Sequence, residues 1–238
     1  MAQVINTNVA SLFGQNALNK SNNALQTAMQ RLSSGLRINS AKDDPTGLVT
    51  ATGYDSQIRG ANMAMRNAND GISTAQINDG YHQQVLENLQ RLREIAVQLG
   101  GTASGTETTA LGLENTRILA LAGNTGSVVV NSNGGTVTGV GTKATLAGTL
   151  TVAGIDADIA AVTTARATYG ADMATFSSAV ATLGTQSVNT SAAYSRIMDT
   201  DYAVETTNMT RNSILQQAGS AILAQANQQP NSVLSLLR

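Results

Sequence analysis

The sequence predicts a mainly α protein: a long antiparallel coiled coil or helix bundle with paired terminal helices and a small β-hairpin region. Three observations carry this expectation. An apolar seam stepping in alternating threes and fours runs through residues 51–75, the signature of a helix packed along its length. Residues 1–19 and 212–237 carry no ionisable side chain yet keep helical apolar spacing. Between the helical halves, about 123–154, the composition shifts to Gly, Thr, Ser, Asn and Val, so the simplest path runs out, turns and comes back.

At the N-terminus, Ile5, Val9 and Leu12 fall on one helical face, and Leu18, Leu25 and Leu32 then recur every seven residues. Ser33-Ser34-Gly35 ends this first helix. After a short connector, Asp44 reads as an N-cap with Pro45 at the first helical position. A helix is then expected to about Leu99, with Ala51, Tyr54, Ile58, Ala61, Met65, Ala68, Ile72 and Ala75 on its seam, continuing through Asp79 and His82 to Leu86 and Leu89. At 1.5 Å per residue it would be roughly 80 Å long, too long to stand without partner helices. Val85, Leu92, Ile95 and Leu99 widen its apolar surface toward a bundle.

Gly100-Gly101 through Gly105 makes a turn, and a weaker helix is expected over about 107–122. Ser127–Val130, Asn133-Gly134-Gly135 and Thr136–Thr138 read as a hairpin with a Gly-rich turn, and Thr149–Val152 as a further strand. Helix resumes near Asp156, with Met173, Phe176, Val180, Leu183, Tyr194, Ile197 and Val204 in heptad register. In the last segment Ile214, Leu215, Ala218, Ala221, Ile222 and Gln225 repeat at helical spacing. Pro230 is expected to set off a short amphipathic tail containing Val233, Leu236 and Leu237.

Charged residues are 12% of the chain, against roughly a quarter in ordinary soluble domains. A net charge of −1 with no basic stripe gives no handle on nucleic acid. No apolar run approaches the ~18 residues of a membrane span, so membrane insertion is not expected. There is no Cys and one His, which excludes disulfides, thiolate metal sites and a His-pair zinc centre. No cofactor and no enzymatic role are implied; His82 reads as a seam residue, and Asp199 and Asp201 as caps. The first twenty residues lack the basic and apolar regions of a cleaved signal peptide. A solvated helix carries charges on its outer face. The two amide-rich ends do not, so they can be buried without desolvating ions, and they are expected to order only when neighbouring copies cover them.

The segments MAQVINTNVASLFGQNALNKS, QRLSSGLRINSAKDDPTGL, RNANDGIS, LQRLREIAVQ and the run from AYSRIMDTDYAVETTNMT to the C-terminus resemble bacterial flagellin, over about residues 1–100 and 173–238. The short middle looks like a version without large outer domains. The resemblance implies an extracellular structural subunit of the flagellar filament that leaves the cell by type III export. A hook–filament junction protein of the same family is the alternative. It implies an inner domain of residues 1–43 with 200–238, an outer domain of 44–199, and a filament-core interface of Ile5, Val9, Leu12, Leu18, Leu25, Leu32, Ile214, Leu215, Ile222, Val233, Leu236 and Leu237. As partners it implies further copies of the chain, the flagellar cap and hook-junction proteins, an export chaperone at about 199–238, and a Toll-like innate receptor. The receptor motif would be Gln90, Arg91, Leu92, Arg93, Glu94, Ile95, Ala96 and Val97, Ile95 standing where the motif more usually has Leu. A Glu87–Arg91 pair is the plain structural expectation for the same stretch.

Overall fold

A computed structural model describes residues 7–235, with side chains described to residue 228. Five helices and one small sheet follow in order: α1 (Val9–Ser34), α2 (Pro45–Gln98), α3 (Thr106–Leu121), β1 (Ser127–Val129), β2 (Thr136–Thr138), α4 (Val152–Met198) and α5 (Tyr202–Ser235). The mainly helical fold class, with a β-hairpin in the Gly-rich middle, is as the sequence predicts. Two compact units emerge, one of residues 1–53 with 193–238 and one of residues 54–192.

The terminal unit is built on α1 and α5. Asn8 caps α1 by accepting from the Ser11 N–H (3.0 Å), and Gly35 closes it at φ 72°, a left-handed conformation that favours glycine. Asp44 accepts from the Gly47 N–H (2.9 Å), so the expected cap before Pro45 forms. Asp201 accepts from the N–H groups of Ala203 (2.9 Å) and Val204 (3.3 Å) and starts α5. The connector after α1 is tied back by the Arg37 N–H to the Met198 carbonyl (2.6 Å) and by its guanidinium to the Ile197 carbonyl (2.8 Å). Ile38, Ala51 and Met198 form a small core there, flanked by Leu36, Leu48, Tyr194 and Ile197.

In the second unit α2 and α4 interlock through two seven-residue repeats. On α4 the buried series is Ile155, Val162, Tyr169, Phe176 and Leu183. On α2 it is Ala61, Ala68, Ala75, His82, Leu89 and Ala96. Large α4 side chains meet small α2 positions: Phe176 packs with Ala68, and Leu183 with Ala61 and Ala64. Gly71 belongs to the same logic, since a Cβ there would stand 3.1 Å from Phe176. The second α2 repeat departs from the sequence reading. Ala64, Gly71, Asn78, Val85 and Leu92 are buried, whereas the expected Met65, Ile72, Asp79 and Leu86 lie half-buried at the flank. Ala64, Gly71 and Asn78 are small or polar where α4 and the β-hairpin share the α2 face, and Val85 and Leu92 fill it with apolar side chains further on. Leu99, expected in the apolar surface, is exposed.

The hairpin pairs Ser127 with Thr138, Val128 with Val137 and Val129 with Thr136. Thr149–Val152 is not a strand. Only Thr151 makes a bridge, to Thr102, and Val152 already begins α4, four residues before the expected start. Pro230 does not end the last helix either, because α5 continues to Ser235. A proline costs one backbone hydrogen bond there, and the following residues still hold helical backbone angles.

Candidate functional site

The seam between α1 and α5 is antiparallel and unusually thin. The Asn8 side chain donates to the Ala226 carbonyl (2.8 Å) and the Ser11 hydroxyl to Asn227 (2.9 Å). Further along, a Cβ on Gly14 would stand 2.9 Å from Leu223, and one on Gly219 would stand 3.4 Å from Leu18. Arg31 meets Glu205 at 3.8 Å near the other end. Only Ser11 and Ala28 of α1 are buried, and on the described part of α5 only Glu205 and Ala226. Two helices of this length joined by four buried residues have almost no apolar core of their own.

The apolar side chains they do carry point outward. Val9 is 65% exposed, Leu12 57%, Phe13 79%, Ile214 59%, Leu215 48% and Ile222 63%. Ala218, Ala221 and Gln225 continue the exposed α5 face. A shallow open recess beside it is lined by Thr206, Thr207, Thr210, Arg211, Ile214 and Leu215. Of the expected interface residues, Leu18, Leu25 and Leu32 are half-buried within the chain. Ile5, the Val233 side chain, Leu236 and Leu237 lie outside the described residues. The expected set thus divides into an inner stripe and an outer face; Phe13 joins that face, and Met29, Tyr202 and Val204 are exposed as well, the Tyr202 hydroxyl lying beside Gly35. The signal of Phe13 in the sequence was the missing charge around it.

Segment 89–98 divides the same way. Leu92, Ile95 and Ala96 enter the core, and Gln90, Arg91, Arg93, Glu94 and Val97 face out. Arg91 donates to Glu107 (3.1 Å) and Glu94 (3.2 Å), and these hydrogen bonds hold its guanidinium above the usual arginine range. The expected Glu87–Arg91 pair does not form; Glu87 instead accepts from Gln83 (2.9 Å), one turn back. Arg93 donates to Asp156 (2.6 Å) across to α4.

Sequence reasoning missed a set of buried polar groups that pin the stretches on either side of the hairpin. The Ala144 N–H donates to His82 Nε2 (3.0 Å), so the ring proton sits on Nδ1 and donates to the Asn78 carbonyl (2.7 Å). Asp172 accepts from the N–H groups of Val140 (2.9 Å) and Gly141 (2.7 Å), and Asp158 from Ala147 (2.7 Å). The Tyr169 hydroxyl donates to the Gly123 carbonyl (2.6 Å). His82 is therefore a fully engaged packing residue. No group of three or more His, Asp or Glu among the described residues is placed to hold a metal ion. Nor is any helix among them long and apolar enough to cross a membrane.

Terminal helices that turn an ion-free apolar side outward define a self-assembling helical structural subunit. Comparison with known proteins gives the class its family. The bacterial flagellin N-terminal helical region matches residues 5–121, and the bacterial flagellin C-terminal helical region matches residues 152–237. A flagellin of Xenorhabdus nematophila is 38% identical over 313 aligned positions covering both chains completely. One of Serratia marcescens is 33% identical over 351, again with complete coverage of both. A flagellin of Salmonella muenchen is 54% identical over 120 residues, half of this chain and 24% of the relative. The chain belongs to the bacterial flagellin family. It is a structural subunit of the extracellular flagellar filament, and the junction-protein alternative is not favoured. The two complete alignments are longer than the 238 residues of this chain, so those relatives carry residues it lacks, which fits a short version without outer domains.

Proposed function

We propose that the exposed face formed by Val9, Leu12, Phe13, Ile214, Leu215 and Ile222 is where copies of the chain pack in the filament core. Residues 1–43 with 200–238 form the inner domain and 44–199 the outer one. The near absence of a core between α1 and α5 carries this reading. Fixing a residue's backbone costs ~1–2 kcal/mol, while burying one Leu, Ile or Val contributes ~1.5–3 kcal/mol. The thin pair seam cannot offset that ordering by itself. Burial against several neighbours can, and only when many contacts form together, so growth is cooperative and needs a nucleus. Deleting residues 231–238 tests this: a soluble monomer that fails to polymerise on seeds is expected, and normal filaments would contradict it.

The finer partners follow from the same chemistry and from family membership. The C-terminal stretch of about 199–238, free of ionisable side chains over 212–237, is the segment an export chaperone would shield before type III export. The flagellar cap and the hook-junction proteins meet the same terminal faces at the two filament ends. The outward row of Gln90, Arg91, Arg93, Glu94 and Val97 supports recognition by a Toll-like receptor, because these side chains are presented on one rigid helix while Leu92, Ile95 and Ala96 fix it from below.

A further inference from the structure

The seam between α1 and α5 poses a problem of register. Leu18, Leu25 and Leu32 repeat every seven residues, so sliding one helix by seven restores a similar apolar stripe. Gly14, Gly219, Ala28 and Ala226 line the contact with small surfaces that oppose sliding only weakly. Something non-periodic must choose among these alignments, and buried polar groups serve that purpose in coiled coils.

Glu205 is the sole carboxylate on either helix, and it is 6% exposed. Its cation is Arg31, at 3.8 Å. The pair is not built for strength, since the Arg31 Nε is buried without an acceptor. It does discriminate. A seven-residue slip in one direction places Asn212 opposite Arg31 and carries Glu205 past the end of α1, so neither charge keeps its partner. The opposite slip leaves Glu205 buried against the stretch around Ala24, with no cation opposite. A buried carboxylate without a partner is strongly disfavoured.

We propose that the Arg31–Glu205 pair sets the axial register of α5 against α1, acting as a positioning pair for assembly. This deepens the assembly reading, because only one register presents the outer apolar face in a single repeatable arrangement.

The natural lack of cysteine allows a direct test. A variant with Ser11→Cys, Ser220→Cys and Asn227→Cys is oxidised as dilute monomer, and the partner of position 11 is identified by peptide mass. Position 227 reports the observed register and position 220 a seven-residue slip. Irreversible trapping accumulates paired states even where helix pairing is partial, so the ratio of products reads register and not helix content. The parent is expected to give the 11–227 product alone. Glu205→Gln and Glu205→Ala are expected to raise the 11–220 product to a comparable share. In the Arg31→Ala/Glu205→Ala double variant the slipped product is expected to persist. An unchanged 11–227 product in every variant would overturn the proposal. So would a slip that vanishes in the double variant. Register loss in variants that still build normal filaments would sink the assembly reading while leaving the register assignment intact.

Discussion

The Asn8 side-chain amide donates a 2.8 Å hydrogen bond to the Ala226 carbonyl, joining the two ends of the chain across 218 residues of sequence. Around that bond the seam is mostly small and polar, and the large apolar groups lie on the other side of each helix. A helix pair arranged this way is half of an interface.

Substitutions on the outer face should therefore separate stability from assembly. Leu12→Gln and Ile222→Gln remove groups that are 57% and 63% exposed in the single chain, so the melting temperature of the monomer should barely move. In the filament each loses burial of ~1.5–3 kcal/mol, and the critical concentration for seeded growth should rise by roughly 10- to 100-fold per site. Sedimentation of polymer at a series of concentrations measures it. An unchanged critical concentration would remove these residues from the interface.

The pinned stretches flanking the hairpin should depend on their buried polar partners. Tyr169→Phe leaves the Gly123 carbonyl without its donor and should cost about 1–3 kcal/mol in urea unfolding. Asp172→Asn can accept only one of the Val140 and Gly141 N–H groups well, and turns an amide donor toward the other. Amide exchange should accelerate at 139–148 and stay slow in the α2–α4 seam; uniform acceleration across both would mean that the stretch is not separately pinned.

The connector before α2 should weaken in acid. N–H donation from Ser40 and Asn39 holds the Asp43 carboxyl below the usual aspartate range, and donation from Gly47 does the same for Asp44. Both side chains are bound in their charged form. Their contribution is fully present above the unfolded aspartate value and is lost as pH falls through the lowered folded value. Amide chemical shifts of Asn39, Ser40 and Gly47 should hold steady through the ordinary aspartate range and move only below it. Movement at or above that range would contradict the assignment.

Arg91→Ala should leave stability essentially intact, because the guanidinium is exposed and its pairs with Glu94 and Glu107 are solvent-screened. If the outward row is read by a Toll-like receptor, reporter-cell signalling should drop at unchanged melting temperature. Equal signalling by variant and parent, both active, would exclude Arg91 from the recognised surface.

Much of this architecture was legible in the sequence because it rests on period and on local chemistry. Gly35 and Asp44 announced their caps, and the alternation of threes and fours announced α2. The α2 seam was misread by one residue at 65 and 72 because Met65 and Ile72 are larger and more apolar than Ala64 and Gly71. The deeper positions are small or polar since Phe176 and the hairpin press against them, a fact held in α4 and the hairpin rather than in α2. The partners of His82, Asp158 and Asp172 are backbone N–H groups 62, 11 and 32 residues away, which no side-chain pattern encodes. Pro230 misled in the other direction, since a local helix-breaking rule gave way to the run of helical backbone around it. The outer face of α1 and α5 was legible through helical apolar spacing combined with the absence of charge over 1–19 and 212–237.

Amide hydrogen exchange, followed residue by residue in monomer and in seeded filament, tests the dependence of α1 and α5 on neighbouring copies most directly. Rapid exchange over 9–34 and 202–228 in the monomer is predicted, with strong protection of both stretches in the filament and little change along the α2–α4 seam. Equal protection of the terminal helices in the two states would contradict the account.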